Sequence, residues 1–401
     1  MSLTLINSPA ALRRACDELG AAIQTDPRIA LDTEFVGEQT YESQLMLIQL
    51  AAPDGQIALI DPQLLRGKLG PVAELLNTPG LLKIMHAGGQ DVPILLNALG
   101  PISGPWFDTQ IAAAYVGYPL QVGYVRLIEA EVGARLAKDE SLSDWGRRPI
   151  PESMLAYAAD DVRYLHAAHA KLAEKLARMG RAAWVDEAAE DMVRGLSEKV
   201  APEDLWRKMA RGTGLDGKGL AVLRALCIWR DDEASRRDRP RRSVMRDETL
   251  IELSRRAPKT VDAVMNLRSI PNGFGEHRAA ELVERIEEAL AIPPAERPVM
   301  DTNSVELDDH GKALNELLSA VLRIRAIEAD IAPALIATAD TLRRLAASSR
   351  VDDVARVFAG WRDALIGNDF RAALAGELSV AWDPELGRMV CKRADGPEPG
   401  R

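Results

Sequence analysis

Ile29-Ala30-Leu31-Asp32-Thr33-Glu34-Phe35 decides the fold. Its apolar lead-in reads as a buried strand, and it ends abruptly in two carboxylates spaced i, i+2. On a strand such residues project from one face. Asp32 and Glu34 therefore stand side by side, and their repulsion must be relieved by protons or by a cation. An Asp-x-Glu at a strand end also fits a solvated edge, so a site requires partners elsewhere in the chain.

Outward from this stretch the first half alternates strand and helix signals. Leu3–Ile6 reads as a short strand, and Ser8 with Pro9 opens an amphipathic helix to about Ile23. Leu45–Leu50 and Gln56–Ile60 flank Pro53-Asp54-Gly55 and predict an antiparallel hairpin. A helix near Val72–Leu76, a strand at Leu81–Met85 and a helix from about Gln90 to Leu99 follow. Trp106-Phe107 begins a short segment ended by Asp108-Thr109, a helix cap. This order predicts a mixed α/β sheet covered by helices. From Glu152 strand signals stop, and two long helices, about Glu152–Met179 and Arg181–Leu196, lead to Pro202.

The rest reads as helical, in two stretches of similar size. The division predicted is residues 1–198, 203–292, a proline-rich linker at 293–307, 308–390 and a tail at 391–401. The chain has 401 residues, enough for two or three domains, with 47% apolar and 27% charged residues. No apolar run reaches the roughly 18 residues of a membrane span, and the N-terminal residues lack a signal-peptide pattern. Cys16, Cys227 and Cys391 form neither a disulfide framework nor a zinc pattern. A reduced, cytoplasmic protein is expected. The net charge of −10 argues mildly against a nucleic-acid partner. Against it stands Arg236–Arg246 (RRDRPRRSVMR), which is either a solvated loop or, through residues such as Arg241 and Arg242, a phosphate-contacting patch.

Two further carboxylates stand out. His86-Ala87-Gly88-Gly89-Gln90-Asp91 turns from a strand into a helix and puts Asp91 in the first helical turn, where an acid also suits the helix N-terminus. In Leu155–Leu165 (LAYAADDVRYL), Tyr157 and Asp161 are i, i+4 and share one helical face, which a core tyrosine beside a solvated aspartate would also satisfy.

In this order, the strand-end acids, the strand-to-helix acid and the helical Tyr-x-x-x-Asp resemble the four-acid 3′–5′ exonuclease superfamily. LDTEF (31–35), TYESQLMLIQLA (40–51), HAGGQD (86–91), FDTQIAA (107–113), SDWGRRP (143–149) and LAYAADDVRYL (155–165) resemble the ribonuclease D family within it. The helical stretches resemble that family's paired HRDC domains. The chain departs from the pattern at Gly37, where a basic residue is usual, at Glu42, where a second tyrosine is common, and at Pro93, where an acid is common.

The resemblance implies a ribonuclease H-like α/β exonuclease domain followed by two small all-α domains. It implies hydrolysis of RNA from the 3′ end, releasing 5′-mononucleotides from tRNA precursors or other stable RNAs. Two divalent ions about 3.5–4 Å apart serve such chemistry. Mg²⁺ or Mn²⁺ takes oxygen ligands and keeps several waters, so a few carboxylates suffice. By resemblance Asp32 bridges both ions, Glu34 and Asp161 complete the one that activates water, and Asp91 serves the other. Tyr157 orients the water, since a phenol with a pKa of about 10 is no base near neutrality.

For RNA contacts, Phe35 either stacks on the terminal base or packs in the core, and His86 is a substrate contact or a core histidine. Arg147 and Arg148, beside Trp145, could meet phosphates. His166 and His169 read as packing residues. A monomer is expected, and removing everything after about Val200 is expected to leave nucleotide release from short strands intact. The other readings are a DNA exonuclease, which the metal site does not distinguish, and a silent RNA-binding scaffold, which should have lost a carboxylate.

Overall fold

The computed structural model describes residues 4–37, 39–136, 143–198, 200–300 and 306–393. Six strands form one sheet: β1 (Leu5–Ile6), β2 (Arg28–Val36), β3 (Gln44–Ala51), β4 (Ile57–Ile60), β5 (Leu82–Met85) and β6 (Trp106–Asp108). Their order is β1-β4-β3-β2-β5-β6. β2, β3 and β4 run antiparallel, as Pro53-Asp54-Gly55 dictates, whereas β2, β5 and β6 run parallel. β2 and β5 therefore end at the same edge of the sheet, where the acids lie. Leu3 falls outside the described residues.

The helices are α1 (Pro9–Thr25), α2 (Gly70–Leu76), α3 (Asp91–Leu99), α4 (Thr109–Ala114), α5 (Tyr124–Val132), α6 (Glu152–Arg163), α7 (Leu165–Met179) and α8 (Ala182–Ser197). Ser8 caps α1 by accepting from Ala11 N, and Asp108 caps α4 by accepting from Gln110 N and Ile111 N. Leu31, Ile48, Leu50 and Ile60 bury one face of the sheet against α1, α2 and α3. Leu47 and Leu59 on the other face meet α6, and Ala30 and Ile84 meet α5 and α7.

Two features depart from the sequence reading. The expected helix Glu152–Met179 is broken at Tyr164. The Tyr124 hydroxyl donates at 2.8 Å to the Asp160 carbonyl, the acceptor that the Tyr164 N–H would take in a continuing helix, and that N–H bonds Val162 O instead. A side chain inserted between an i and an i+4 backbone group ends the helix there. The helical stretch from 309 also closes in strands: β7 (Leu378–Asp383) and β8 (Arg388–Arg393) pair antiparallel. Residues 391–393 thus belong to a strand, not to a tail, and 394–401 lie outside the described residues.

Between Trp206 and Ala291 six helices enclose their own core of Leu220, Leu226, Leu253, Phe274 and Leu282. The proline stretch does not hang free from it. Pro294–Glu296 forms a single 3₁₀ turn, Arg297 Nε donates to Ile292 O, and Met300 packs on the same core. Residues 301–305 lie outside the description. The helices from Asp309 to Leu374 instead join the core of the sheet: Leu318, Val321, Phe358 and Phe370 are continuous with Phe107, Tyr115, Leu172 and Val185. Trp184 stacks on Trp361 at 4.3 Å between ring centroids, and Arg181 donates to Tyr115 O at 2.7 Å and to Ala329 O.

Candidate functional site

Asp32 and Glu34 leave the same face near the end of β2, and Asp161 meets them from the last turn of α6. One carboxylate oxygen from each lies within 4.8 Å of the others, a separation that one divalent cation can span. Burial raises the Asp32 carboxyl well above the ordinary range, and the charges of Asp91, Asp161 and Glu34 push it further. Repulsion of this kind on the Asp32 carboxyl is what a bound cation relieves.

Asp91 stands outside this trio. As the first residue of α3 it approaches from the other side of β2, where Thr33 points opposite to Asp32 and Glu34. The Thr33 hydroxyl donates to Asp91 Oδ1. Burial raises Asp91 to about 6, although that hydrogen bond opposes the shift. Pro93 fits the first turn of α3, where amides lack intrahelical partners.

Tyr157 lies one turn before Asp161, its ring 6.4 Å from that of the buried Trp145. A bulge separates Glu34 from Phe35 and re-aims the strand, and Phe35 is partly buried. At Gly37 a Cβ would come within 2.3 Å of Ser43 Oγ, so the basic side chain usual in the family has no room unless Ser43 moves. Glu42 accepts from Asn97 at 2.6 Å and ties the loop after β2 to α3.

The other sequence candidates divide. His86 is held by the protein: burial lowers its pKa. Its Nε2–H donates to Val122 O at 3.1 Å, and its Nδ1 lies 2.9 Å from the Thr109 hydroxyl, which itself donates to Met85 O. His166 and His169 also pack, against Ala51 O and the Phe107 ring.

Arg148 is committed to the protein rather than to a phosphate. Its guanidinium binds the fully buried Asp61 at 2.6 Å and the carbonyls of Met46 and Trp145. Arg148→Met strands that carboxylate, and the expected loss is about 3 kcal/mol of stability, read as a lower urea midpoint with RNA affinity unchanged. Arg147 remains exposed.

Much of the arginine run is likewise spent. Arg236 and Arg237 both pair with Glu233, which is itself buried. Arg241 binds Asp231, donates to the Tyr41 hydroxyl at 2.8 Å and lies over the Tyr41 ring. Arg242 keeps a largely exposed side chain beside Glu248.

Sequence reasoning missed Thr33 and Tyr124. Thr33 was legible from the alternation of β2, which turns it away from Asp32 and towards the neighbouring helix. Tyr124 had no local signal, because its partner lies 36 positions downstream.

Comparison with known proteins agrees with this geometry. Residues 4–177 match a family model described as 3′–5′ exonuclease, and residues 219–288 match the HRDC domain. Ribonuclease D of Granulibacter bethesdensis is 34% identical over 97% of this chain and 97% of its own, and that of Acidiphilium cryptum is 35% identical over 94% of each. The crystal structure of Escherichia coli RNase D superposes with a TM-score of 0.81 at 30% identity, covering 94% of this chain and 99% of that one. These relatives favour neither a DNA exonuclease nor a silent scaffold. The chain belongs to the ribonuclease D family and is a 3′–5′ exoribonuclease.

Proposed function

We propose that Asp32, Glu34, Asp91 and Asp161 hold two divalent ions, Mg²⁺ or Mn²⁺, and that Tyr157 orients the attacking water. The approach of Asp32, Glu34 and Asp161 within 4.8 Å carries this reading. Divalent ions held there would activate a water near neutral pH and offset charge on the phosphate. The protein contributes position. The Asp32 carboxyl feels the charges of Asp91, Asp161 and Glu34 together, which supports giving it the place shared by both ions, and the Thr33 hydroxyl would hold Asp91 for the second. Tyr157 offers a phenol O–H one helical turn from Asp161. Phe35, the residue after Glu34 on β2, suits stacking on the last base, while Arg147 and Arg242 keep exposed charge for phosphates.

The substrates in this reading are tRNA precursors and other stable RNAs with 3′ tails, acted on in the cytoplasm by a monomer. The matched HRDC domain and a second, HRDC-like unit at 308–390 grip the folded part of the RNA. No helix among the described residues is long and apolar enough to cross a membrane.

A time course on 5′-labelled RNA and DNA of equal sequence tests the reaction. RNA shortens one nucleotide at a time from the 3′ end with Mg²⁺ and not with chelator, and a 3′-tailed tRNA stops near its acceptor stem. Label released at the first cleavage, or equal rates in chelator, would overturn the proposal.

A further inference from the structure

The register of β2 and β3 sets Asp32 opposite Gln49, so both side chains leave the same face of the sheet. Gln49 is 0% exposed, and neither its Nε2 nor its Oε1 has a hydrogen-bond partner among the described residues. Buried carboxamides are almost always paired, because an unpaired one forfeits its hydration. The neighbours of Gln49 on that face do not help: Leu47 and Ala51 along β3, and Leu59 across on β4, are apolar. Directly across from it is the carboxylate on which the acidic cluster converges.

We propose that Gln49 is a positioning residue for Asp32, its Nε2–H donating to the Asp32 carboxylate and fixing it as that group turns its charge towards a divalent cation. The proposal rests on Asp32 as a cation ligand. An ionised carboxylate opposite an amide gains a charge-assisted hydrogen bond, stronger than one between neutral groups. Such outer partners orient the ligands of a metal and raise their affinity for it. The amide does not touch the ion or the RNA, so it acts through Asp32.

Thermal melts in chelator and across an Mg²⁺ titration separate this role from packing, using Gln49→Met and Gln49→Glu. Methionine fills a similar volume without polar atoms, so in chelator this variant melts at or above wild type. The Mg²⁺ concentration that gives half of the melting shift rises roughly 10-fold or more, and the Mg²⁺ midpoint for RNA hydrolysis rises with it while KM for RNA stays put. Gln49→Glu puts a like charge opposite Asp32, so in chelator at pH 8 it melts below wild type and regains that difference as Mg²⁺ is added. Gln49→Met with an unchanged Mg²⁺ midpoint, or destabilised in chelator, overturns the assignment and leaves the cation reading standing. A wild-type protein that gains no melting temperature from Mg²⁺ overturns both.

Discussion

Asp32→Asn is expected to melt higher than wild type in chelator at pH 8 and to hydrolyse RNA on the order of 10³-fold more slowly in Mg²⁺. The two effects have one origin. The Asp32 carboxyl is raised far above its ordinary range by burial and by Asp91, Asp161 and Glu34. A carboxyl with a raised folded-state pKa binds protons more tightly in the native protein. Without cations, stability therefore falls as pH climbs from the unfolded value of about 3.9 through the folded one. Asp91, raised to about 6, adds to the same decline. Asparagine cannot ionise, so the variant declines less over this window. It also loses a charged oxygen for the cation, and several kcal/mol of charge stabilisation correspond to roughly a thousandfold in rate. Single-turnover rates with Mg²⁺, beside melts from pH 4 to 8 in chelator, check both. A near wild-type rate would remove Asp32 from the centre of the site.

Cutting the chain after Met300 is expected to leave the nuclease half unable to hold its native packing. The sequence reading expects the opposite, a catalytic domain that works once the helical stretches are removed. The structure gives a physical reason for the reversal. The stretch from 309 contributes Leu318, Val321, Trp361 and Phe370 to the core that contains Tyr115, Leu172 and Val185. Its removal uncovers Tyr115 and the face of Trp184 that stacks on Trp361, and it takes away the carbonyls that bind Arg181. Four large side chains at about 1.5–3 kcal/mol each fall within the roughly 5–15 kcal/mol that holds a typical domain together. Dye binding and a broadened or lost melting transition would report the failure. A truncated protein with a sharp, wild-type melt would show that the shared core is dispensable.

What was legible in the sequence was whatever rests on short-range pattern. Asp-x-Glu on one strand face, the Pro53-Asp54-Gly55 hairpin, the Asp108 cap and the Tyr157–Asp161 helical pair all follow from periods of two or 3.6 residues. The strand ahead of Asp91 also held, because the turn at Gly88-Gly89 marks the end of β5. What failed rests on distant partners. The break at Tyr164 is made by Tyr124, and the Arg148 guanidinium is claimed by Asp61, 87 positions away. The β7–β8 hairpin was readable in principle, since Leu378, Val380 and Trp382 alternate before a turn at Asp383–Gly387. Its short strands were hidden among helices.

The shared core also sets an order of events during synthesis. Emerging at about 5–20 residues per second, the chain exposes Tyr115, Trp184 and the buried residues of α7 well before Leu318 or Phe370 exists to cover them. The unit from Trp206 to Ala291, with a core of its own, can close in that interval. The nuclease, although encoded first, is completed last.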